Sequence, residues 1–354
     1  MHILYIAADT SALGGIQQYN RKVIAAFGAR GDRVNLLELK GGSSPAKFFF
    51  IVRCVLAALL MRPSMIVCAH VNFSPIGLFL KNIFGMKYVV FTHGIDVWNI
   101  EGVLKRKAFG EAKVITAVAE FTRDKMLAQM PELKDKIYFL YNPVDGNRFV
   151  PKPKSPKLVK KYGLEGKKVI FTIARLLAAE GYKGYDRVIQ AMPRVLHGVP
   201  NAVYLLGGKG DDAPRVKNLI KKMGLEDKVI MAGYVPEEEI VDYYNLADVF
   251  IMPSKAEGAP AVYLEALSCG KPVIAGNKDG SSTPLQGGEV GLLIDPDNGE
   301  EIVSAIIRVL KGKVDARLLD GEFLRSKTLE KFGLWRFPEK IEGMLKLFLT
   351  EERR

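Results

Sequence analysis

Short β-type runs alternate with helical stretches from one end of this 354-residue sequence to the other. That alternation restricts the chain to parallel sheets covered by helices on both faces. The first series reads HILYIAA (2–8), RVNLLEL (33–39), MIVCAH (65–70), KYVVFT (87–92), KVITAV (113–118) and KIYFL (136–140), with helices predicted over 17–29, 46–61, 75–84 and 120–129. The texture then breaks: residues 142–157 (NPVDGNRFVPKPKSPK) carry four prolines and no periodicity, as a linker does. A second series follows in KKVIFTI (167–173), AVYLLGG (202–208), KVIMAG (228–233), DVFIMP (248–253), KPVIAG (271–276) and GLLID (291–295). Two doubly wound α/β domains are expected, over 1–145 and 146–335, with residues 336–354 forming a helix that packs back toward the first. Ligands of such sheets bind beyond the carboxyl ends of the strands, so the loops there are where chemistry is to be sought.

Composition narrows the class. Hydrophobic residues make up 48% of the chain and charged residues 25%, which a globular protein shows and a disordered or fibrous one does not. Cys54, Cys68 and Cys269 are far apart and form no CxxC pair, so they read as buried thiols of a reducing compartment. The opening MHILYIAADT runs straight into a strand without the basic leader and apolar stretch of a signal peptide, and a cytoplasmic protein is expected. The most apolar run, 48–61, is interrupted by Arg53 and falls short of the roughly 20 residues that a bilayer span needs. Of the net charge of +12, most lies early: residues 1–150 hold 19 Lys and Arg against 11 Asp and Glu. Solubility explains such an excess, and so does an anionic membrane surface; no nucleic-acid motif with interleaved aromatics accompanies it, and no nucleic-acid partner is expected.

Unusual residues fall in the strand-end loops. Gly14 and Gly15 follow the first strand and open the first helix, as a tight turn or as a close backbone approach to an anionic or acceptor group. They do not form GxGxxG, and no ribose-reading acid follows the second strand, which argues against a dinucleotide dehydrogenase. His93 and Asp96 follow KYVVFT in THGIDVW. A lone His there is often structural; at a ligand edge it can donate to a sugar hydroxyl, with Asp96 holding an acceptor hydroxyl. Arg175 and Lys183 follow VIFTI, and two cations at one crevice suit a diphosphate leaving group, the alternative being two solvated surface charges. The strongest local signal is AEGAPAVYLEALSCGKPVIAG (256–276). Glu257 stands in its Gly/Pro loop, and Gly258, Ala259, Pro260 and Ala261 bring backbone and a helix N-terminus to where a sugar and its phosphate would sit. Glu265 stands in an apolar helix, where a carboxylate needs partners, either ribose hydroxyls or a buried salt bridge.

In combination and in this order, LGGIQ, THGIDVW, YNPVD, the Arg175/Lys183 pair and the Glu257/Glu265 element resemble glycosyltransferase family 4, over nearly the whole chain. The resemblance implies the GT-B fold, with two Rossmann-like domains facing a central cleft, and retaining transfer of a hexose from a nucleotide-diphosphate sugar. It implies that Arg175 and Lys183 bind the donor diphosphate, that Glu257 contacts the donor sugar and Glu265 the ribose, and that His93 lies against the sugar. Ala259 and Pro260 stand where many members have an aromatic residue, and the Arg-to-Lys interval is longer than the commonest form. The stretches GGIQ, THGIDVW and VYLEALSCGKPVIAG are similar to bacterial mannosyltransferases acting on lipid acceptors. GDP-mannose is therefore the first donor expected, a UDP-hexose the second, and the acceptor a lipid-linked saccharide or glycolipid, reached by a cytoplasmic enzyme peripheral to the membrane. No carboxylate nucleophile is paired with an acid as glycoside hydrolases require, and no DxD-like pair stands at a strand end, so a front-face substitution without metal or other cofactor is expected. The alternatives are a sugar-nucleotide epimerase of the same build and an inactive sugar-binding homologue.

Overall fold

The computed structural model describes residues 1–12 and 14–350, so Leu13 of the LGGIQ turn and residues 351–354 of the C-terminal segment lie outside the described residues. The chain divides into two compact units, Met1–Pro143 with Trp335–Arg354, and Val144–Leu334.

The first unit runs β1 (His2–Ala8), α1 (Gly15–Ala29), β2 (Arg33–Leu39), α2 (Ser44–Met61), β3 (Met65–Cys68), α3 (Ser74–Phe84), β4 (Tyr88–Phe91), α4 (Val103–Gly110), β5 (Val114–Ala117), α5 (Glu120–Gln129) and β6 (Ile137–Phe139). Its strands form a parallel sheet in the order β2-β1-β3-β4-β5-β6. Strands β3, β4 and β5 are buried at every residue, as unbroken apolar runs in a parallel sheet must be when helices cover both faces. Helix α2 begins two residues before the predicted start, because Ser43 caps it by accepting from the Ala46 N–H and Pro45 fits its first turn. Helix α4 escaped the sequence reading.

The second unit runs α6 (Pro156–Tyr162), β7 (Lys168–Ile173), α7 (Tyr185–Gly198), β8 (Ala202–Gly207), α8 (Ala213–Lys222), β9 (Val229–Gly233), α9 (Ile240–Leu246), β10 (Val249–Met252), α10 (Ala261–Ser268), β11 (Val273–Gly276), β12 (Leu292–Ile294), α11 (Gly299–Leu310) and α12 (Gly321–Phe332). The last helix, α13 (Phe337–Leu349), is part of the first unit. The second sheet is ordered β12-β11-β10-β7-β8-β9. Strand order reverses between β7 and β10, which pair directly through Val249↔Ile170 and Phe250↔Phe171. The two connections leaving this pair diverge to opposite sides, and the gap between them at the carboxyl ends is the place where a doubly wound sheet receives a ligand.

Candidate donor site

Two loops meet at that gap. The segment after β7 carries Arg175 and a 3-10 turn, Ala178–Lys183, ending at Gly184. Gly184 has φ +77°, and a Cβ there would lie 2.4 Å from the Pro253 carbonyl oxygen beyond β10. Only glycine lets the two backbones approach this closely in this conformation, so Lys183 is set directly against the β10 loop. The start of α7 is then clamped. Tyr185 donates through Oη to Asp212 Oδ2 at 2.5 Å, and Arg215 donates to both oxygens of Asp212, from Nε at 2.6 Å and Nη2 at 2.7 Å.

The loop after β10 is held from the far side by Asp279, which is buried. Its carboxylate accepts from Ser254 Oγ at 2.6 Å, from the Glu257 N–H at 2.8 Å and from the Ser281 N–H at 2.9 Å. Burial pushes the Asp279 carboxyl up from its ordinary range, and the donors from Ser254, Ser281 and Glu257 pull it back down. Gly280 completes the junction: its N–H donates to the Glu257 carbonyl at 2.8 Å, and a Cβ would meet the Gly258 carbonyl oxygen at 1.6 Å.

Between the loops, Lys183 pairs with Glu257 and lies 3.7 Å from Glu180, which in turn pairs with Arg175. The structure therefore joins Arg175, Lys183 and Glu257 in one chain of alternating charge, with Glu180 as the link that sequence reasoning missed. Glu180 is buried, and its Oε2 has no hydrogen-bond partner. Burial pushes the Glu257 carboxyl up; Lys183 opposes that shift, while Asp279 and Glu180 add to it. Arg175 is largely exposed, with Glu180 as its partner. Helix α10 follows Pro260 with no side-chain cap, so its first amide groups lack a side-chain acceptor at the cap.

Glu265 lies further along α10. Its Oε2 accepts from Tyr244 Oη at 2.6 Å, so a neutral phenol fills part of the role expected of ribose hydroxyls or a salt bridge. Tyr244 is itself fixed among Phe149, Phe171 and Phe250 at centroid distances of 5.7 to 5.9 Å.

In the first unit, Gly14 precedes α1 without any side-chain cap and Gly15 begins the helix, so the first amide groups of α1 lack a side-chain acceptor. His93 follows β4, and its Nε2 lies 2.9 Å from the Ala69 carbonyl. A carbonyl only accepts, so Nε2 carries a proton committed to Ala69. When neutral, His93 therefore offers Nδ1 as an acceptor. Asp96 accepts from the His93 N–H at 3.0 Å through Oδ1, while its buried Oδ2 has no hydrogen-bond partner. His70, absent from the sequence reading, stacks on His93 at 5.9 Å and approaches Asp96 at 3.8 Å. Burial pushes the His70 pKa down against the pull of Asp96. Among the described residues no cluster of three or more His, Cys, Asp or Glu is arranged to hold a metal ion. The three cysteines are buried and free, with Cys54 and Cys269 each pushed up by burial to about 12.

Residues 154–320, which contain the whole Arg175–Glu265 arrangement, match the family model for Glycosyl transferases group 1. That segment, just under half of the chain, carries the signature of this glycosyltransferase family. It is similar to the GDP-mannose-dependent alpha-(1-6)-phosphatidylinositol monomannoside mannosyltransferase of Mycolicibacterium smegmatis, 29% identical over 232 residues. That match covers 62% of this chain and 60% of the relative, so the chain is aligned with about three-fifths of the relative's length. Among solved structures, it resembles Anabaena Alr3699/HepE, determined in complex with UDP, with a TM-score of 0.80 at 18% identity over 98% of this chain and 100% of that one. It also resembles the sucrose-phosphate synthase of Thermosynechococcus elongatus, with a TM-score of 0.82 at 19% identity over 98% of both chains. At these identities the two likenesses establish the fold, GT-B, built from two Rossmann-like parallel sheets.

Proposed function

We propose that this glycosyltransferase moves a hexose, with retention of anomeric configuration, from a nucleotide-diphosphate sugar to a lipid-linked saccharide or glycolipid. The observation that carries the reading is the convergence of Arg175, Lys183 and Glu257 at the β7/β10 switch point. A diphosphate seated there exchanges Glu180 and Glu257 for phosphate oxygens as partners of the two cations. As the sugar–phosphate bond breaks, the electron pair moves onto the phosphate oxygen, and Arg175 and Lys183 stabilise the charge that grows on it. The acceptor hydroxyl attacks on the same face and passes its proton to that departing oxygen, so bond breaking, bond making and proton transfer balance without a protein nucleophile. Glu257 is assigned to the sugar hydroxyls, the backbone of 258–261 to the sugar and its phosphate, and Glu265 with Tyr244 to the ribose. Gly14 and Gly15 are assigned to the anionic and acceptor groups, and His93 and Asp96 to the sugar and the acceptor hydroxyl.

GDP-mannose is the preferred donor, supported by the named donor of the mycobacterial relative, whose acceptor is also a glycolipid by name. The positive charge at the site comes from side chains, so transfer is expected to survive excess chelator. The workplace assigned to the enzyme is the inner face of the cytoplasmic membrane.

The test is a thermal-shift panel of UDP, GDP and ADP with their sugars, since a ligand that binds only the folded state raises its melting temperature. It is followed by a transfer assay, with and without chelator, in which the product anomer is read by NMR. A shift confined to GDP and GDP-mannose with an α-linked product supports the proposal. A shift with UDP compounds alone moves the donor to a UDP-hexose, and an inverted product or full loss with chelator removes the mechanism.

A further inference from the structure

Helices α2, α3 and α4 form one layer: α2 packs on α3, and α3 on α4, over a shared core beneath. Helix α2 turns Phe50, Cys54 and Ala58, one residue per turn, into that core. Its other faces remain apolar. Phe49 is 65% exposed, Leu56 51% and Leu60 84%. The layer continues with Ile83 on α3 at 59% and with Val103 on α4 at 86%. Ordinary helices of a globular domain turn such residues inward and carry charge outward, so large apolar side chains exposed on neighbouring helices point to an interaction site.

The charges on the layer are of one sign. Across α2, α3 and α4 there are six basic residues, Lys47, Arg53, Lys81, Lys105, Arg106 and Lys107, and no Asp or Glu. Lys81 pairs with Glu111 beyond the end of α4, and the excess remains strongly positive. Large apolar side chains among basic ones, without acids, fit a bilayer interface whose headgroups are anionic. A second copy of the chain fits poorly, because a two-fold contact would set this basic surface against itself. By length and composition α2 is able to cross a membrane, but its Phe50–Cys54–Ala58 stripe is already in the domain core, so it lies on a surface instead.

We propose that the exposed layer of α2, α3 and α4 is a docking surface for an anionic lipid bilayer, in which all three helices take part. The inference deepens the membrane placement of the proposed function and rests on that reading for its purpose, while the surface itself is argued from exposure and charge alone.

The full chain is mixed with vesicles of equimolar phosphatidylglycerol and phosphatidylcholine, or of phosphatidylcholine alone, at low and at high salt, and sedimented. The wild type is expected in the pellet only with the anionic vesicles at low salt. Phe49→Glu with Leu60→Glu on α2, and separately Val103→Glu with Leu104→Glu on α4, are each expected to weaken partitioning about tenfold or more. Because these positions face solvent, the thermal shift given by bound nucleotide should be unchanged in both variants. Wild type left in the supernatant with anionic vesicles overturns the proposal. An α4 variant that sediments like wild type overturns the part of α4. A lipid-free dimer that either variant converts to monomer replaces the bilayer by a second copy as occupant. Vesicle binding without any response to nucleotides sinks the proposed function and leaves the surface standing.

Discussion

Lys183 shows how much of this site is electrostatic preparation. Its ammonium lies between two carboxylates, Glu180 and Glu257, and all three side chains are largely shielded from water, which therefore screens poorly. Truncating a group that meets charge developing in the transition state lowers turnover more than affinity, so Arg175→Ala and Lys183→Ala are each expected to reduce kcat by about 2 to 4 kcal/mol. Steady-state kinetics decides this: unchanged kcat with only a raised KM removes them from the chemical step. Glu180 works in the other direction, because its negative charge occupies Arg175 and lies beside Lys183, the two cations proposed to hold the diphosphate. Glu180→Gln keeps the shape and removes the repulsion, and should tighten free nucleoside diphosphate several-fold, on the order of 0.5 to 1 kcal/mol for a pair whose Arg is mostly exposed. Titration calorimetry that finds equal or weaker binding rules out this role. The cations and Glu257 were legible in the sequence as charges in strand-end loops. Tyr244, Asp279 and His70 were not, because each acts through a partner from a distant strand or helix that no local pattern announces, and Glu180, though close in sequence to its partners Arg175 and Lys183, was not singled out because no motif marks it.

Elements make the residues above possible, and two of them can be tested. The loop after β10 meets the loop after β11 backbone to backbone at Gly280, where a Cβ would fall 1.6 Å from the Gly258 carbonyl oxygen and 2.9 Å from that of Glu257. Backbone cannot swing aside as a side chain does. Gly280→Ala should therefore displace the Glu257 loop and raise the Kd for intact nucleotide sugar more than for free nucleotide, whose base and ribose are assigned elsewhere; equal effects would contradict the division of roles. At the head of α7, the Arg215 hydrogen bonds to Asp212 hold that carboxyl below its ordinary value of 3.8, with Tyr185 adding to the effect and burial opposing it. A depressed carboxylate contributes stability that is present above its unfolded pKa and disappears as pH falls through the folded one. Asp212→Asn should cost about 1 to 2 kcal/mol at neutral pH, discounted because Arg215 is half exposed. The gap from wild type should close below about pH 4 in urea melts; a gap independent of pH would assign the loss to packing. Strands and long helices were readable from periodicity alone. Helix α4 was not, since VLKRKAFG spans about two turns, lacks a capping side chain and is interrupted by three consecutive basic residues. Helix α6 was hidden within the proline-rich stretch, where Pro156 in fact suits a helix start.

At the scale of the whole chain, the second unit is an uninterrupted segment, Val144–Leu334, whereas the first is assembled from both ends of the sequence. Helix α13 buries Phe337, Ile341, Met344, Leu345 and Phe348, spaced as one helical stripe, and Phe337 stands edge-on to Tyr19 of α1 at 6.1 Å. Five large apolar side chains at about 1.5 to 3 kcal/mol each amount to roughly 7 to 15 kcal/mol, comparable with the whole stability of a domain. The two ends of the second unit also touch: the Val144 N–H donates to the Phe332 carbonyl, and the Leu334 N–H to the Val144 carbonyl, both at 2.8 Å. In architectural terms the second unit is a guest spliced into its host, entering and leaving through a single doorway. Excision should then be possible where truncation is not. Residues 1–143 joined by a short Gly/Ser bridge to 335–350 should melt cooperatively, while 1–143 alone, with the groove for α13 left open, should not. Cooperative melting of the shorter fragment would show that the C-terminal helix decorates the first unit without completing it.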